Sequence, residues 1–206
     1  MKKIFVMLLI ALFLVSCTGN DVKEEIPTES ETAEQKQNVT ETLLDTDDIN
    51  EETAESILNE EIKIDIFGKI KNATLYELGY VGIPARYALV DFDGDGEREL
   101  VFEFSPSGDR AIIDKNDGVY TAYYLSIRSA NDIKKDGTMS WSSSAFESGA
   151  QKIRFENGQL IKEDIIVYNT TENLFTVKGE NVSEEEGSRA LALQYQKESV
   201  EWIEIE

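Results

Sequence analysis

Three dipeptides typical of tight turns divide the chain after Gly79 into short apolar segments. Asp117-Gly118, Asp136-Gly137 and Asn157-Gly158 carry the residues that two-residue hairpin turns prefer, because such turns need a positive φ. The segments between them run apolar or alternate, as strands do. They predict strands near residues 86–90, 99–105, 110–115, 119–128, 138–145, 150–156, 159–168 and 173–178. The three turns are expected to link neighbouring strands antiparallel.

Helical periodicity precedes this strand-rich region. Apolar residues between Ile57 and Ile70 recur at spacings of three and four and predict a helix over about residues 48–71. Asp47 or Asp48 is a suitable N-cap, because a short acidic side chain accepts hydrogen bonds from the first turn. A competing strand signal comes from the alternation of Ile62, Ile64 and Ile66.

A second helix is predicted near the C-terminus. Ser183 followed by Glu186 is typical of a capping box and predicts a helix over about residues 184–197. Ile203 and Ile205 then alternate with glutamates and give a weak strand signal. The pattern as a whole predicts an α+β fold, mainly an antiparallel β-sheet meander with an N-terminal and a C-terminal helix.

Composition excludes several classes of function. The 206 residues include 41 acidic and 20 basic side chains and no histidine, which gives a formal net charge of −21. Without imidazole, catalysis by Ser-His-Asp or Cys-His groups and His-ligated zinc are excluded. The negative charge repels phosphate backbones, so no nucleic acid partner is expected.

Residues 1–16 have the organisation of a signal peptide, with two lysines, an apolar run from Ile4 to Val15 and a small residue before Cys17. The run is shorter than the roughly 20 residues that a transmembrane helix needs, so cleavage is expected. Residues 14–17 resemble the bacterial lipobox. The resemblance implies a diacylglyceryl group and palmitate-type chains on Cys17, which would anchor the protein at the extracytoplasmic face of the cell membrane. The alternative is an ordinary secreted protein with a stray cysteine.

The remaining chain divides by composition. Residues 17–46 are rich in acids and lack aromatic side chains, which predicts a disordered acidic tether. An acidic recognition tail is the alternative. Residues 47–206 are expected to form a single β-rich α+β domain, because the apolar periodicities begin there.

One segment, YALVDFDGDGERELVFEF at residues 87–104, has the composition of a metal site. Asp91, Asp93 and Asp95 stand at alternate positions, and Glu99 follows. A hard cation takes six to eight oxygens at about 2.3–2.6 Å, and the intervening glycines permit the tight backbone that such a loop needs. The segment predicts a calcium site, for which a structural role is favoured over a functional one, and magnesium fits less well because it retains its waters. An acidic turn without metal is the alternative.

The sequence DFDGDGEREL resembles the Asp-x-Asp-x-Asp-Gly calcium loops of EF-hands, dockerins and FG-GAP repeats. Phe102 stands where an EF-hand carries its bidentate glutamate and the flanks are predicted strands, so the FG-GAP type fits better. The ligands that this resemblance implies are the side chains of Asp91, Asp93, Asp95 and Glu99 and the backbone carbonyl of Glu97. A single repeat does not predict a propeller. Residues 114–118, DKNDG, are predicted to form a turn.

A wider resemblance covers residues 87–158, including the segments KKDGT and SWSSSAFESG. They are similar to poorly characterised lipoproteins and secreted proteins of Gram-positive bacteria that carry one calcium-type loop in a small β-rich domain. This resemblance implies no particular activity.

Other side chains are weaker candidates. A stacking platform for a sugar or a peptide is one reading of Tyr120, Tyr123, Tyr124 and Trp141, although buried sheet faces use the same residues. A serine nucleophile would come from Ser140, Ser142, Ser143 or Ser144, with Lys134 or Lys135 as its base.

Two functions follow from these patterns. The first is a membrane-anchored, extracytoplasmic lipoprotein without enzymatic activity, a calcium-stabilised module that binds a protein or a glycan of the cell envelope. The second is a cell-surface hydrolase that uses carboxylates or the metal, which predicts perturbed carboxylates converging in a cleft away from the loop.

Overall fold

The computed structural model describes residues 48–206, without the side chains of residues 79–81. The predicted signal peptide, Cys17, the predicted tether and Asp47 lie outside the described residues. Within the described part of the chain, no helix has the length and hydrophobicity required to cross a membrane.

The described residues form two α-helices, one 3-10 helix and twelve strands. The helices are α1 (Glu51–Leu58), the 3-10 helix (Leu75–Val81) and α2 (Glu184–Gln196). The strands are β1 (Ile64–Ile66), β2 (Ile70–Ala73), β3 (Gly82–Val90), β4 (Glu99–Pro106), β5 (Arg110–Asn116), β6 (Val119–Leu125), β7 (Met139–Ser142), β8 (Glu147–Glu156), β9 (Gln159–Asn169), β10 (Leu174–Val177), β11 (Glu180–Val182) and β12 (Ile203–Glu204). The predicted fold class, α+β with mainly antiparallel sheet and a helix near each end, is confirmed.

The strands form two sheets. The seven-stranded sheet has the order β12-β3-β4-β5-β6-β1-β2, and the five-stranded sheet has the order β11-β10-β9-β8-β7. Strands β3 to β6 and β7 to β11 pair antiparallel with their sequence neighbours, as in a meander. Strand β1 pairs parallel with β6.

Two apolar cores separate the layers of the fold. The first core lies between the seven-stranded sheet and the helices α1 and 3-10, and it buries Leu100, Phe102 and Phe104 of β4. Val101, between them in the sequence, is buried in the second core, on the other face of the sheet. Alternate side chains of a strand point to opposite faces, so the seven-stranded sheet is covered on both sides. The second core lies between the two sheets and includes Met139 and Ile153 of the five-stranded sheet. Helix α2 packs on the other face of that sheet, against β8, β9 and β10.

The helix predicted over residues 48–71 is wrong for most of its length. Helix α1 ends at Leu58, and Glu60 adopts a left-handed conformation with φ of 62°. The alternation that begins at Ile62 then forms β1, because Ile64 and Ile66 are buried in the first core. Tertiary burial decides between two periodicities that overlap in the sequence.

The predicted N-cap of α1 is also wrong. Asn50 caps the helix, and its Oδ1 accepts a hydrogen bond of 2.9 Å from the backbone N–H of Thr53. Asp48 is instead bound by the guanidinium of Arg98. At α2 the prediction is confirmed, because the Ser183 hydroxyl accepts a hydrogen bond of 3.2 Å from the backbone N–H of Glu186.

All eight predicted strands occur, as β3 to β10, with ends displaced by up to four residues. The turns Asp117-Gly118 and Asn157-Gly158 join antiparallel neighbours as predicted. Asp136-Gly137 forms a tight turn, and Asn131 and Ser140 pair antiparallel on either side of it. The turn does not pair β6 with β7, which corrects the third prediction, because these strands lie in different sheets. It lies in the connection from β6 to β7, which crosses between the sheets and buries Ala130 and Ile133 in their shared core.

Candidate metal site

The acidic loop, residues 91–98, joins β3 to β4 and rests against the five-stranded sheet. Phe92 is fully buried in the core between the sheets and holds the start of the loop. The Lys152 ammonium of β8 donates a hydrogen bond of 3.3 Å to the carbonyl oxygen of Asp93. Gly137 passes beneath the loop, where a Cβ would lie 2.7 Å from the Asp91 carbonyl oxygen. A glycine is needed there for close approach, and its φ of 76° also favours glycine.

Three of the predicted ligands come together in the structure. Carboxylate oxygens of Asp91, Asp93 and Asp95 lie within 4.8 Å of one another. Gly94 and Gly96, with φ of 85° and 96°, allow the loop to turn back around these side chains. The arrangement follows from the alternate spacing, because the glycines absorb a backbone conformation that other residues disfavour.

Backbone N–H groups of the loop orient the aspartates. Asp91 accepts hydrogen bonds of 2.6 Å from the N–H of Gly94 and 3.2 Å from that of Gly96. Asp95 accepts one of 2.8 Å from the N–H of Glu97. Each of these bonds uses part of a carboxylate's acceptor capacity and leaves further lone pairs for a cation.

Glu99, the first residue of β4, is 4% exposed and lies outside the cluster of three aspartates. Its Oε2 accepts a hydrogen bond of 2.8 Å from the backbone N–H of Phe92. Burial raises the pKa of the Glu99 carboxyl to about 8, and the negative charges of Asp93 and Asp114 add to the rise, whereas the Phe92 hydrogen bond opposes it. Glu99 is therefore a buried acid beside the cluster.

Asp114 is a member of this site that the sequence analysis missed. It belongs to β5 and, with Glu97 and Glu99, lines a cavity of about 320 Å³ beside the loop. Burial raises the pKa of the Asp114 carboxyl to about 6, and the charges of Asp93 and Asp95 add to the rise. The turn prediction for residues 114–118 is correct only for Asp117-Gly118, since Asp114 lies within the strand.

The pairing of two predicted strands could have indicated that Asp114 belongs to this site. The predicted strands 99–105 and 110–115 are close in sequence, and antiparallel pairing across their short connection sets Leu100 opposite Ile113. Continuing that register by one residue brings Asp114 beside Glu99. The acid is thus placed by the pairing of two strands, and the loop motif gives no indication of it.

The four aromatic candidates do not form one platform. Tyr123 is 4% exposed, and its ring centroid lies 5.4 Å from that of Phe155 within the molecule. Tyr120 packs against the first core. The Tyr124 hydroxyl donates a hydrogen bond of 2.9 Å to Asp109. Trp141 lies on the other sheet, in β7.

The serine-lysine arrangement finds no support in the described part of the chain. Lys134 is 3% exposed, and its ammonium donates to the Ser199 hydroxyl at 3.3 Å and pairs with Asp132 at 2.9 Å. Lys135 pairs with Glu198 and Glu201, each at 2.7 Å. Neither ammonium bonds a serine of residues 140–144.

Comparisons with known proteins give no relative for this chain. No family model, no curated protein and no solved structure matches it. Function must therefore be argued from the geometry of the site.

Proposed function

We propose that this protein is a membrane-anchored, extracytoplasmic binding module in which calcium stabilises the junction between the two sheets. The observation that carries the proposal is the convergence of the Asp91, Asp93 and Asp95 carboxylates within 4.8 Å. Asp93 and Asp95 also line a cavity that Glu99 and Asp114 share, so acids of the loop, β4 and β5 meet at one place.

Electrostatics favours a divalent cation at this position. Carboxylates crowded into a partly buried volume repel one another, and the burial of Glu99 adds a cost of desolvation. A bound cation would be the largest local charge and would offset both costs. The oxygen-only donor set fits a hard cation, and the number of carboxylates fits the high coordination number of calcium better than the hydrated octahedron of magnesium.

The position of the loop supports a structural role. The loop connects two strands of the seven-stranded sheet, and Lys152 of the five-stranded sheet donates to its backbone. Phe92, in the same loop, is buried between the sheets. A cation that fixes the loop would therefore also fix one contact between the two sheets.

The hydrolase alternative is less well supported. It predicts two or more perturbed carboxylates that converge in a cleft away from the loop. Asp164, whose pKa burial raises, is the one acid among the described residues that line its cavity. The two acids with the most strongly raised pKa values, Glu99 and Asp114, line the cavity of the loop itself. Crowding of acids at a cation site gives the same shifts. Glu99 is also hydrogen-bonded to Phe92 and almost fully buried, which leaves it poorly placed to reach a substrate.

The anchoring part of the proposal is supported by the sequence around Cys17. Cys17→Ser is expected to abolish incorporation of labelled lipid and to release protein into the medium or leave an uncleaved precursor. Processed Cys17→Ser protein that stays on the membrane would contradict lipidation of this cysteine.

Calcium titration of the full chain tests the metal site. Calcium should raise the melting temperature, because an ion that binds only the folded state stabilises it by about 1.4 kcal/mol at ten times Kd. Asp93→Ala should weaken binding at least about tenfold, equivalent to about 1.4 kcal/mol. Glu97→Ala is the matched control in the same loop and should change affinity little, because its expected ligand is the backbone carbonyl.

Two further results bear on this assignment. Asp114→Ala should weaken calcium binding by less than Asp93→Ala if Asp114 acts from the edge of the cavity. Absence of a calcium-dependent heat or melting shift at millimolar calcium, or equal losses for Asp93→Ala and Glu97→Ala, would contradict the proposed site.

A further inference from the structure

A second cavity, of about 520 Å³, lies at the edge strand β7, and nothing in the calcium proposal uses it. Its walls come from β7, from the connection between β6 and β7 and from α2. The side chains that matter here are those of Arg128, Asn131, Ser140, Trp141, Ser142 and Tyr195. Its volume lies within the range of small-molecule sites.

Ser140 provides a polar group without a partner at this cavity. The residue is 9% exposed, and its Oγ is buried and makes no hydrogen bond. Its backbone is fully engaged, because Ser140 and Asn131 exchange two hydrogen bonds of 2.7 and 2.8 Å. A buried hydroxyl without a partner is costly and uncommon in folded proteins. A ligand that donates to or accepts from this hydroxyl removes that cost.

Aromatic rings supply the apolar part of the cavity. Trp141 lines it, and Tyr195 projects from α2 with 54% of its surface exposed. The indole N–H of Trp141 is buried and makes no hydrogen bond of normal geometry. It lies close enough to Asp164 to oppose the rise in the pKa of that carboxyl, which burial causes. Flat apolar rings beside hydroxyl, amide and guanidinium groups suit a ring that has an apolar face and a polar rim, which is the surface of a sugar.

Arg128 adds a charge preference. It is exposed, its one hydrogen bond is a long contact of 3.4 Å to the Ser142 hydroxyl, and it forms no ion pair with a described residue. Asp132, the acid that lines the cavity, pairs with Lys134 at 2.9 Å. A guanidinium without an acidic partner, in a chain of net charge −21, is suited to a carboxylate of the ligand.

We propose that this cavity, the Trp141 cavity, binds a sugar that carries a carboxylate, with the sugar ring against Trp141 and the carboxylate at Arg128. A smaller cavity of about 250 Å³ shares Arg128, Trp141 and Ser142 and is also lined by Lys162 and Asp164, whose opposite charges offset each other. The carboxylate of the ligand is therefore assigned to Arg128 alone. The inference rests on the binding-module part of the proposed function and is independent of the calcium site.

The test compares an acidic sugar with its neutral methyl ester. The full chain is titrated calorimetrically, in 0.15 M salt and saturating calcium, with a trimer of galacturonic acid and with the methyl ester of the same trimer. Salt at this concentration screens the general repulsion between the acidic protein and the acidic sugar. The acid should bind at least about tenfold more tightly than the ester, equivalent to about 1.4 kcal/mol.

Three variants separate the contributions. Arg128 is exposed, so the Arg128→Gln variant should fold normally. It should bring the affinity for the acid down to that for the ester. Trp141→Ala should abolish binding of both. Ser140→Ala should weaken binding without lowering the melting temperature, whereas a merely structural hydroxyl would leave the affinity unchanged. Arg154→Gln, an exposed arginine of β8 that pairs with Glu156, is the matched control and should bind as the wild type does.

The results distinguish this inference from the calcium proposal. No heat with either trimer, equal affinity for acid and ester, or wild-type affinity in Arg128→Gln would overturn the inference even if calcium binds as proposed. Tight binding of the acidic trimer without any calcium binding would leave the sugar site standing and remove the metal site.

Discussion

The two sheets of this protein differ in how completely they are enclosed. In the seven-stranded sheet, the consecutive residues Leu100, Val101 and Phe102 of β4 are all 0% exposed, because cores cover both faces. In the five-stranded sheet, β9 is longer, yet Ile166 is its single buried residue. Its outer face is covered by α2 only against part of β8, β9 and β10.

This difference separates scaffold from binding surface. The acidic loop joins the ends of two enclosed strands, and Lys152 of the less enclosed sheet donates a hydrogen bond to its backbone. The Trp141 cavity lies at the edge strand of that second sheet, where side chains such as Trp141 and Ser142 remain incompletely buried. In the proposals above, the enclosed sheet serves as a scaffold and the open sheet carries the surface on which polar groups would meet a ligand.

The largest effect is expected from replacing one leucine in each sheet. The two substitutions test how completely each sheet is enclosed. Leu100→Ala in β4 should lower the free energy of unfolding by about 3–4 kcal/mol, because a fully buried leucine leaves a cavity. Leu160→Ala in β9 should cost about 1 kcal/mol, since Leu160 is only partly buried against the core between the sheets. Urea unfolding followed by tryptophan fluorescence measures both.

These measurements are made with excess chelator, so that calcium bound near Leu100 contributes nothing. Wild type in chelator provides the reference for both variants. Similar losses for Leu100→Ala and Leu160→Ala would show that the five-stranded sheet is as well packed as the seven-stranded one, and the comparison would fail.

Ion pairs offer a second contrast between the sheets. In the seven-stranded sheet, Glu103 of β4 accepts hydrogen bonds from Arg86 and Arg110, and the Arg110 side chain is 5% exposed. Glu103→Gln should destabilise the protein by about 3 kcal/mol, because it leaves a buried guanidinium without its counter-charge. In the five-stranded sheet, Glu163 pairs with Arg154 at 3.2 Å, with side chains 70% and 44% exposed. Glu163→Gln should cost less than about 0.5 kcal/mol.

Both variants replace a carboxylate by its amide, so shape is held constant while charge is removed. Urea unfolding at pH 7 gives the two free energies. A Glu163→Gln effect as large as that of Glu103→Gln would mean that exposure is a poor guide to the strength of ion pairs here.

The sequence predicts those parts of the fold that are marked by a local pattern. Strands β3 to β10 are predicted because each carries an apolar run between turn residues. The region 59–73 is not, because helical and alternating periodicities overlap there and burial of Ile64 and Ile66 decides the outcome. The Asp136-Gly137 turn has hairpin chemistry, but the local sequence does not encode that the chain crosses between sheets at that point.

The two candidate sites also differ in how far the sequence predicts them. The three aspartates of the acidic loop lie close in sequence, so their spacing predicts that they come together. Asp114 joins them through strand register, which a loop motif does not contain. The Trp141 cavity combines side chains of a strand, a connection and a helix that are distant in sequence. Such a site can be recognised only after the layers of the fold are known.

The smallest effect is expected from Asp48→Asn. This variant tests whether the strength of an ion pair depends on its burial or on the sheet beside which it lies. Asp48 pairs with Arg98, beside the seven-stranded sheet, at 2.8 Å, yet the two side chains are 45% and 42% exposed. Asp48→Asn should therefore cost at most about 1 kcal/mol at pH 7. The hydrogen bond from Arg98 lowers the pKa of the Asp48 carboxyl, so its contribution is present above the unfolded-state value of about 3.9 and is lost as pH falls through the folded-state value. Urea unfolding of wild type and Asp48→Asn should differ at pH 7 and converge once the pH falls below the folded-state pKa of Asp48. A loss matching that of Glu103→Gln would show that attachment to the enclosed sheet, rather than burial, sets the strength of the pair.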